Sequence, residues 1–246
     1  MSDLIGKRAL VTGGSRGIGA SIALALAERG ADVAITYERS ADRAAAVAQA
    51  IEGKGRRAVA IQADSGDPEA VKRSVAEAVA ALGGIDILVN NAGIARVGAL
   101  ADISLEDIDA LLNVNVRAAI LFSQAVIPHL GRGGRIILIG SCLADRMVGT
   151  NVTVYAMTKS AQVSLTRGLA RELGDRGITV NLVQPGATET DMNPANGEMA
   201  DALRALTPLG HYGEPEDVAA AVTFLASPAA RQINGTSLTV DGGLNA

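Results

Sequence analysis

Short apolar segments alternate with longer amphipathic segments along the whole chain. The short segments are rich in Val, Ile and Leu, and one of them reads Ile-Ile-Leu-Ile without interruption at residues 136–139. Continuous apolar runs of this length are typical of strands that are covered on both faces of a parallel sheet. The pattern therefore predicts seven strands, at residues 8–12, 32–37, 57–62, 85–90, 135–139, 179–183 and 237–240.

The segments between these strands carry helix start signals. Asp67-Pro68-Glu69 combines an N-cap residue, a first-turn proline and a first-turn acid, and Ser104 followed by Asp107 resembles a capping box. Strands that alternate with helices need right-handed crossovers, so we predict an α/β fold with a doubly wound, seven-stranded parallel sheet and helices on both faces. No Pro/Gly/Ser-rich linker or shift in composition divides the 246 residues, which favours a single domain over residues 1–246.

The composition argues against several classes of protein. With 22 Lys+Arg against 26 Asp+Glu the formal net charge is -4, and no cationic run is longer than Arg56-Arg57, so we expect no nucleic-acid partner. Aromatic residues make up only 2% of the chain, so the core is expected to consist of Ala, Val, Ile and Leu. His129 and His211 lie far apart without acidic residues at ligand spacing, so no metal is expected.

The location of the protein is predicted from its apolar stretches and its cysteine. The longest stretch without a charged residue, 118–131, is 14 residues long, fewer than the roughly 18 that a membrane span needs, so no membrane partner is expected. Asp3, Lys7 and Arg8 do not suit a signal peptide. Cys142 is the only cysteine and can form no internal disulfide, so we expect a cytoplasmic protein.

A glycine-rich turn follows the first predicted strand. Residues 12–19 read Thr-Gly-Gly-Ser-Arg-Gly-Ile-Gly, with the spacing G-x-x-x-G-x-G, and a helical pattern follows directly. In an α/β sheet such a turn brings backbone N–H groups and a helix N-terminus against a pyrophosphate. The strand before it and the helix after it favour a dinucleotide site over an ordinary turn.

A phenol and an ammonium group lie four residues apart, on one face of a long predicted helix that runs to about residue 173. Reduction of a carbonyl by hydride needs a proton at the oxygen, and the phenol of Tyr155 has an ordinary pKa of about 10. The positive charge of Lys159 would favour its anion. Ser141, 14 residues before Tyr155 at the end of the 135–139 strand, could donate a hydrogen bond to the carbonyl. The thiol of Cys142 is a weak donor, and no role is assigned to it.

Together these motifs resemble those of the short-chain dehydrogenases/reductases, over essentially the whole chain. The shared motifs are T-G-x-x-x-G-x-G at 12–19, N-N-A-G at 90–93, Y-x-x-x-K at 155–159 and Pro-Gly at 185–186. The resemblance implies a Rossmann fold and the catalytic set Asn115, Ser141, Tyr155 and Lys159, in which the asparagine holds a water that relays protons beyond the lysine. Family members more often have a spacing of 13 between the serine and the tyrosine. We expect the extra residue to lengthen the loop 142–154 without moving either anchor.

The resemblance also implies a nicotinamide dinucleotide as cofactor. In the family an acid at the end of the second strand excludes a 2′-phosphate, and the corresponding residue here is Tyr37. Because Arg16, Arg39 and Ser40 lie nearby, we predict that NADP(H) is preferred over NAD(H), and Glu38 is the feature that argues against this. The implied cofactor-binding residues are Gly13, Ser15, Arg16, Gly17, Ile18, Gly19, Tyr37, Arg39, Ser40, Asp64, Ser65, Asn91, Ala92, Gly93, Tyr155, Lys159, Pro185, Gly186, Thr188 and Thr190.

The predicted function is NADPH-dependent, reversible reduction of a ketone or aldehyde to an alcohol, on a small-molecule substrate, with Tyr155 as general acid and base. The resemblance implies a substrate lid at about 188–213. Within it Asn193, Pro194, Met199 and Leu206 either face the substrate or cover the core. The resemblance further implies a homotetramer that is formed by pairing the helices at 118–130 and 155–173.

Two alternative functions remain open at this point. A 3-oxoacyl-[acyl-carrier-protein] reductase is one, since Arg132 and Arg176 stand where such enzymes meet an acidic carrier, although solvent-exposed arginines with no partner would look the same. The other is a nucleotide-binding regulator on the same fold. Residues 144–147 and 193–197 resemble those of a bacterial family member that binds cyclic-di-GMP.

Overall fold

The computed structural model describes residues 3–246 and has one parallel sheet. All seven predicted strands form, and their order across the sheet is β3-β2-β1-β4-β5-β6-β7. The predicted α/β Rossmann fold with its doubly wound sheet is therefore confirmed. The strands are β1 Arg8–Val11, β2 Asp32–Tyr37, β3 Ala58–Gln62, β4 Ile87–Asn90, β5 Arg135–Ile139, β6 Thr179–Pro185 and β7 Ser237–Val240.

Eight α-helices in the described chain cover both faces of this sheet. They are α1 Gly17–Glu28, α2 Ala41–Glu52, α3 Pro68–Leu82, α4 Leu105–Leu112, α5 Ala118–Val126, α6 Thr153–Glu172, α7 Ala200–Leu206 and α8 Pro215–Ala226. Short 3-10 turns follow α5, β5 and α8, at Ile127–His129, Cys142–Ala144 and Pro228–Ala230. The segment between α4 and α5, Asn113–Arg117, is a π-helix, which the hydrophobic pattern did not predict.

The apolar core has two halves, one on each face of the sheet, because successive strand residues point to opposite faces. Ala9 and Val11 belong to the half beneath α1 and α8, whereas Leu10 belongs to the half beneath α3, α5 and α6. The buried apolar residues are mostly Ala, Val, Ile and Leu, as predicted, and Phe122 is the largest fully buried side chain in the described chain.

Four strand boundaries differ from the prediction: β1 and β3 are each shorter by one residue, and β4 and β6 differ by two residues. β4 begins at Ile87 rather than at residue 85, and the carboxylate of Asp86, just before it, accepts the backbone N–H and the guanidinium of Arg8. β6 continues through Pro185 because its last residues pair with β7, and Gly186 then donates its N–H to Val240 at 2.9 Å.

The predicted helix starts are present, with one difference. The carboxylate of Asp67 accepts the N–H of Glu69 at 2.9 Å and caps α3 as expected. The hydroxyl of Ser104 accepts the N–H of Asp107 at 3.1 Å, but the carboxylate of Asp107 binds that hydroxyl and Arg96 instead of the backbone of Ser104. Only half of the predicted capping box is therefore formed.

The helical stretch Leu105–His129 is long and apolar enough, by length and composition alone, to cross a membrane. Its central Arg117 donates to the carbonyl of Gly66 at 2.7 Å, and Phe122 and Val126 are buried in the core half that contains α3. The stretch is therefore packed as a core helix of the α/β fold.

Candidate active site

The site lies where the order of strands reverses, between β1 and β4, at the carboxyl ends of the strands. In a doubly wound sheet this position leaves an open crevice. The hydroxyl of Thr12 accepts the N–H groups of Asn91 at 3.0 Å and Ala92 at 2.9 Å. The amide of Asn91 donates in return to the carbonyls of Thr12 and Gly13. These four bonds hold the glycine turn and the N-N-A-G segment together, so that the two segments form one side of the crevice.

The glycine turn has room only for glycine at several positions. Gly13 and Gly17 have φ angles of +65° and +51°, which disfavour any side chain. A Cβ on Gly14 would lie 2.7 Å from Ile35, so the turn presses directly on β2. Ser15 and Ile18 lie in the turn and the first helical turn, and Gly19 packs against Asn91.

The N-terminus of α1 has no side-chain cap and no acid in its first turn. Its first N–H groups therefore have no partner inside the helix, and the helix dipole favours an anion there. This arrangement fits the pyrophosphate of a dinucleotide, as the sequence predicted.

The predicted adenosine end shows charge pairs that the sequence did not reveal. Tyr37 ends β2, and Arg39 donates to its neighbour Glu38 at 2.7 Å. Arg16 instead reaches across to Asp191, and Arg43 on α2 binds the same carboxylate oxygen. Ser40 precedes α2 without capping it.

Asp64 and Ser65 follow β3, where the prediction put the adenine ring. The carboxylate of Asp64 accepts the N–H of Gly66 at 2.7 Å. It therefore acts as a turn cap in the structure. A contact with the cofactor stays a prediction for both residues.

The serine, tyrosine and lysine of the predicted catalytic set lie together. Ser141 follows β5 after one residue, and Tyr155 and Lys159 lie in the first turns of α6. The hydroxyl of Ser141 lies close enough to the phenol of Tyr155 to lower its pKa, and it accepts the N–H of Leu143 at 3.2 Å. The ammonium of Lys159 lies 5.8 Å from the centre of the tyrosine ring and donates to the carbonyl of Ile139 at 2.9 Å.

The loop between Ser141 and Tyr155, where we expect the extra residue, is held to the rest of the chain by its backbone. Asn151 has a φ of +63°, and its carbonyl accepts the N–H of Gly98 at 2.8 Å. The loop is thereby fastened to the segment after β4, while Ser141 still lies beside Tyr155.

Burial controls the protonation of the two ionisable groups. It raises the pKa of Tyr155 to about 12, although the nearby hydroxyl of Ser141 acts in the opposite direction. It lowers the pKa of Lys159 to about 8, because a buried ammonium loses its hydration. Desolvation is therefore the larger effect on the phenol in the chain by itself, and the expectation that Lys159 favours the phenolate stays a prediction. Burial also raises the pKa of Cys142 to about 11, which suits the absence of an acid-base role for this thiol.

Asn115 lies in the π-helix and is fully buried. Its side-chain oxygen accepts the N–H of Ile94, and its amide donates to the carbonyl of Ile94 and to the hydroxyl of Thr158. Both amide hydrogens are therefore donated within the protein, and Asn115 connects the π-helix to the segment after β4 and to α6. Its part in a proton relay stays a prediction. A Cβ on Gly93 would lie 3.4 Å from both Asn115 and Lys159, so the three residues border one space.

The segment after β6 returns to the glycine turn. A Cβ on Gly186 would lie 2.6 Å from Asp241, so Pro185-Gly186 packs tightly on the residue after β7. Thr188 pairs with Gly213, and the methyl group of Thr190 lies against Gly17. No cluster of three or more metal-ligating side chains occurs in residues 3–246.

Comparisons with known proteins point to one family. A family model described as Enoyl-(Acyl carrier protein) reductase matches residues 13–245. A short chain dehydrogenase from Burkholderia cenocepacia J2315, solved in complex with NADP, is 61% identical with a TM-score of 0.98, covering 99% of this chain and 100% of that chain. The cyclic-di-GMP-binding biofilm dispersal mediator protein of Escherichia coli (strain K12) is 42% identical over 100% of both chains. Versicolorin reductase 1 of Aspergillus parasiticus is 44% identical over 99% of both chains.

The chain belongs to the short-chain dehydrogenase/reductase family. It is accordingly an oxidoreductase, as its sequence predicted.

Proposed function

We propose that the protein reduces a ketone or aldehyde carbonyl with NADPH, reversibly. The observation that carries this proposal is the cluster of Ser141, Tyr155 and Lys159 beside the crevice that the glycine turn and the N-N-A-G segment form. The uncapped N-terminus of α1 and the close-packed glycines fit the cofactor. A bound reduced nicotinamide supplies hydride to the carbonyl carbon.

The protein's own groups handle the carbonyl oxygen and the proton. Ser141 donates a hydrogen bond to the oxygen, and Tyr155 transfers its phenolic proton to it. Because burial raises the pKa of Tyr155 to about 12, the phenol is protonated at neutral pH and is ready to donate. The ammonium of Lys159 beneath the ring then stabilises the phenolate that remains. Asn115 holds the neighbouring backbone in place and, in the proposed relay, its oxygen can still accept a water.

The proposed preference for NADP(H) rests on the residues around the end of β2. Tyr37 places no carboxylate there, and Arg16 and Ser40 stand near it in the turn and before α2. The Burkholderia relative, which was solved with NADP, supports the same choice. Tighter binding of NADH than of NADPH would overturn this part of the proposal.

The proposed lid spans about residues 188–213 and is held by its own contacts. The hydroxyl of Tyr212 donates to Asn193 at 3.3 Å, and the guanidinium of Arg204 lies 5.4 Å from the ring of Tyr212. Met192, Met199 and Leu206 are about half exposed or more. Apolar, flexible methionines support a substrate that carries an apolar group beside its carbonyl.

The test measures oxidation of NADPH and NADH with diketones, β-ketoesters, aryl ketones, aldehydes and an acetoacetyl thioester. Tyr155→Phe should lower kcat by about 10²–10⁴-fold, because it removes the proton donor. Its affinity for NADPH, read from nicotinamide fluorescence, should fall far less than kcat, because phenylalanine keeps the ring and removes only the hydroxyl. A Tyr155→Phe variant that kept the parent's turnover would exclude the mechanism.

The acyl-carrier alternative is less well supported by the geometry. Arg132 and Arg176 lie just before β5 and β6 begin, at the amino ends of these strands, whereas Ser141 lies beyond the carboxyl end of β5. The guanidinium of Arg176 donates to the carbonyls of Ile127 and Leu130. Within one subunit these arginines therefore do not border the catalytic cluster. Turnover of the acetoacetyl thioester in the panel tests this alternative.

A binding role is the second candidate, and the Escherichia coli relative favours it. Arg146, in one of the two segments that carry the likeness, donates to the carbonyls of Leu244 and Ala246, so its guanidinium is already engaged. A titration with cyclic-di-GMP beside NADPH separates the two roles. Binding of cyclic-di-GMP without any carbonyl turnover would favour the regulator.

We also propose a homotetramer and a cytoplasmic location. Ile120 on α5 and Met157 on α6 are apolar and about half exposed, which supports pairing of these helices between subunits. The free thiol of Cys142, which is buried, suits a reducing compartment.

A further inference from the structure

One carboxylate joins three segments that are far apart in sequence. Oδ2 of Asp191 accepts from Nη1 of Arg16 at 3.0 Å and from Nη1 of Arg43 at 2.6 Å. Arg16 belongs to the glycine turn, Arg43 to the first turn of α2, and Asp191 to the start of the proposed lid. The preceding Thr190 packs on Gly17, so the lid segment lies against the turn at two successive residues.

The charges of this triad do not cancel. Two guanidinium groups face one carboxylate, so the formal charge of the triad is +1. Each side chain is more than half exposed, and most of the N–H groups of both arginines remain free. Arg39, by contrast, is paired with its neighbour Glu38, and that pair is neutral. The uncompensated positive charge at the adenosine end therefore belongs to Arg16 and Arg43.

We propose that Arg16 and Arg43 together bind the 2′-phosphate of NADP(H), and that Asp191 weakens this binding as a built-in competing anion. This inference rests on the proposed NADP(H)-dependent function, and it adds Arg43 and Asp191 to the residues that determine cofactor specificity. A phosphate and a carboxylate both accept the forked hydrogen bonds of a guanidinium group. If Asp191 stays paired with the arginines, its negative charge repels the phosphate. If the phosphate replaces it, the two ion pairs of Asp191 are lost. Either effect lowers the selectivity for NADP(H) over NAD(H).

The test uses two probes that lack the nicotinamide: adenosine 2′,5′-bisphosphate and adenosine 5′-monophosphate. Calorimetric titrations compare the parent with Asp191→Asn and Arg43→Gln. Asp191→Asn should lower the dissociation constant of the bisphosphate about two- to fivefold, as expected for one partly exposed charge pair. The dissociation constant of the monophosphate should stay unchanged. Arg43→Gln should weaken the bisphosphate by a similar factor. Both effects should shrink at high salt.

Asp201→Asn is the matched control. It removes the same charge from the same lid segment, but Asp201 is fully exposed and pairs only with Arg204, three residues away. It should leave both affinities unchanged. Weaker or unaltered bisphosphate binding in Asp191→Asn would overturn the inference, and so would an equal gain in Asp201→Asn.

Binding of NADPH and NADH by the parent protein is measured beside these titrations. A parent that prefers NADH refutes the proposed cofactor, independently of the variants. A parent that prefers NADPH while Asp191→Asn shows no gain refutes the competing carboxylate alone.

Discussion

Lys159 is a buried cation whose only hydrogen-bond acceptor among residues 3–246 is the carbonyl of Ile139. No carboxylate compensates its charge, so burial lowers its pKa from the ordinary 10.5 to about 8. Between these two values the unfolded chain binds more protons at this site than the folded chain does. The free energy of unfolding should therefore rise with pH in that window, and the cost of the buried charge should be fully present below pH 8.

The variant Lys159→Met tests this linkage. Relative to the variant, the parent should gain about 1.4 kcal/mol of unfolding free energy per pH unit above pH 8, measured by urea denaturation from pH 7 to 10. Lys72→Met, which removes an exposed lysine paired with Glu69, should show no such change. Parallel stability curves for the parent and Lys159→Met would contradict the assignment.

The sequence indicated which catalytic side chains lie close together, but not how burial changes their pKa values. The spacing of Tyr155 and Lys159 and the place of Ser141 after a strand were enough to predict a cluster. The effect of burial on each pKa depends on the packed environment, and spacing does not reveal it. The pairing of Arg43 with Asp191 joins residues 148 positions apart, so no local pattern could have predicted it.

The π-helix between α4 and α5 places Asn115 opposite the segment after β4. Its side chain satisfies both the N–H and the carbonyl of Ile94, each at 2.9 Å. Asn115→Ala would leave these two backbone groups without partners. It should lower the free energy of unfolding by about 2–3 kcal/mol, measured by urea denaturation.

Asn113→Ala is the control for this prediction, because Asn113 lies in the same π-helix and is only partly buried. It should change the unfolding free energy by less than about 0.5 kcal/mol. If Asn115 acted only by holding a relay water, Asn115→Ala would lose turnover and keep the stability of the parent.

Elements with a strong pattern were predictable, and those that depend on tertiary partners were not. Every predicted strand exists, because buried parallel strands have continuous apolar runs. The π-helix reads Asn-Val-Asn-Val-Arg, and a segment of five residues is too short for hydrophobic periodicity to distinguish it from the α-helices on either side. The half-formed capping box at Ser104 depends on Arg96, which captures the carboxylate of Asp107 from another segment.

The proposed tetramer concerns the surfaces of α5 and α6. The exposed face of α6 carries Met157 and the small residues Ala161, Ser164 and Gly168, a surface on which another helix could pack closely. Met157→Glu would bury a charge in such an interface. It should convert the tetramer into smaller species, measured by light scattering after size-exclusion chromatography.

Ile5→Glu is the matched control, because Ile5 is equally apolar and more exposed but lies before β1, away from both helices. It should leave the molar mass unchanged. A parent protein that is monomeric at micromolar concentration would refute the proposed assembly directly.

The chain has only four lysines, and Lys159 alone is buried. Lys54 and Lys72 are at the surface in pairs with glutamates, and Lys7 is partly accessible. At pH 8 about half of the Lys159 side chains are neutral amines, the form that attacks an acylating reagent. Because Lys159 is only 4% exposed, an acylating reagent should reach it only when the catalytic crevice opens. Peptide mapping after acylation, with and without cofactor, would therefore report that opening through one lysine, with the other three as internal standards.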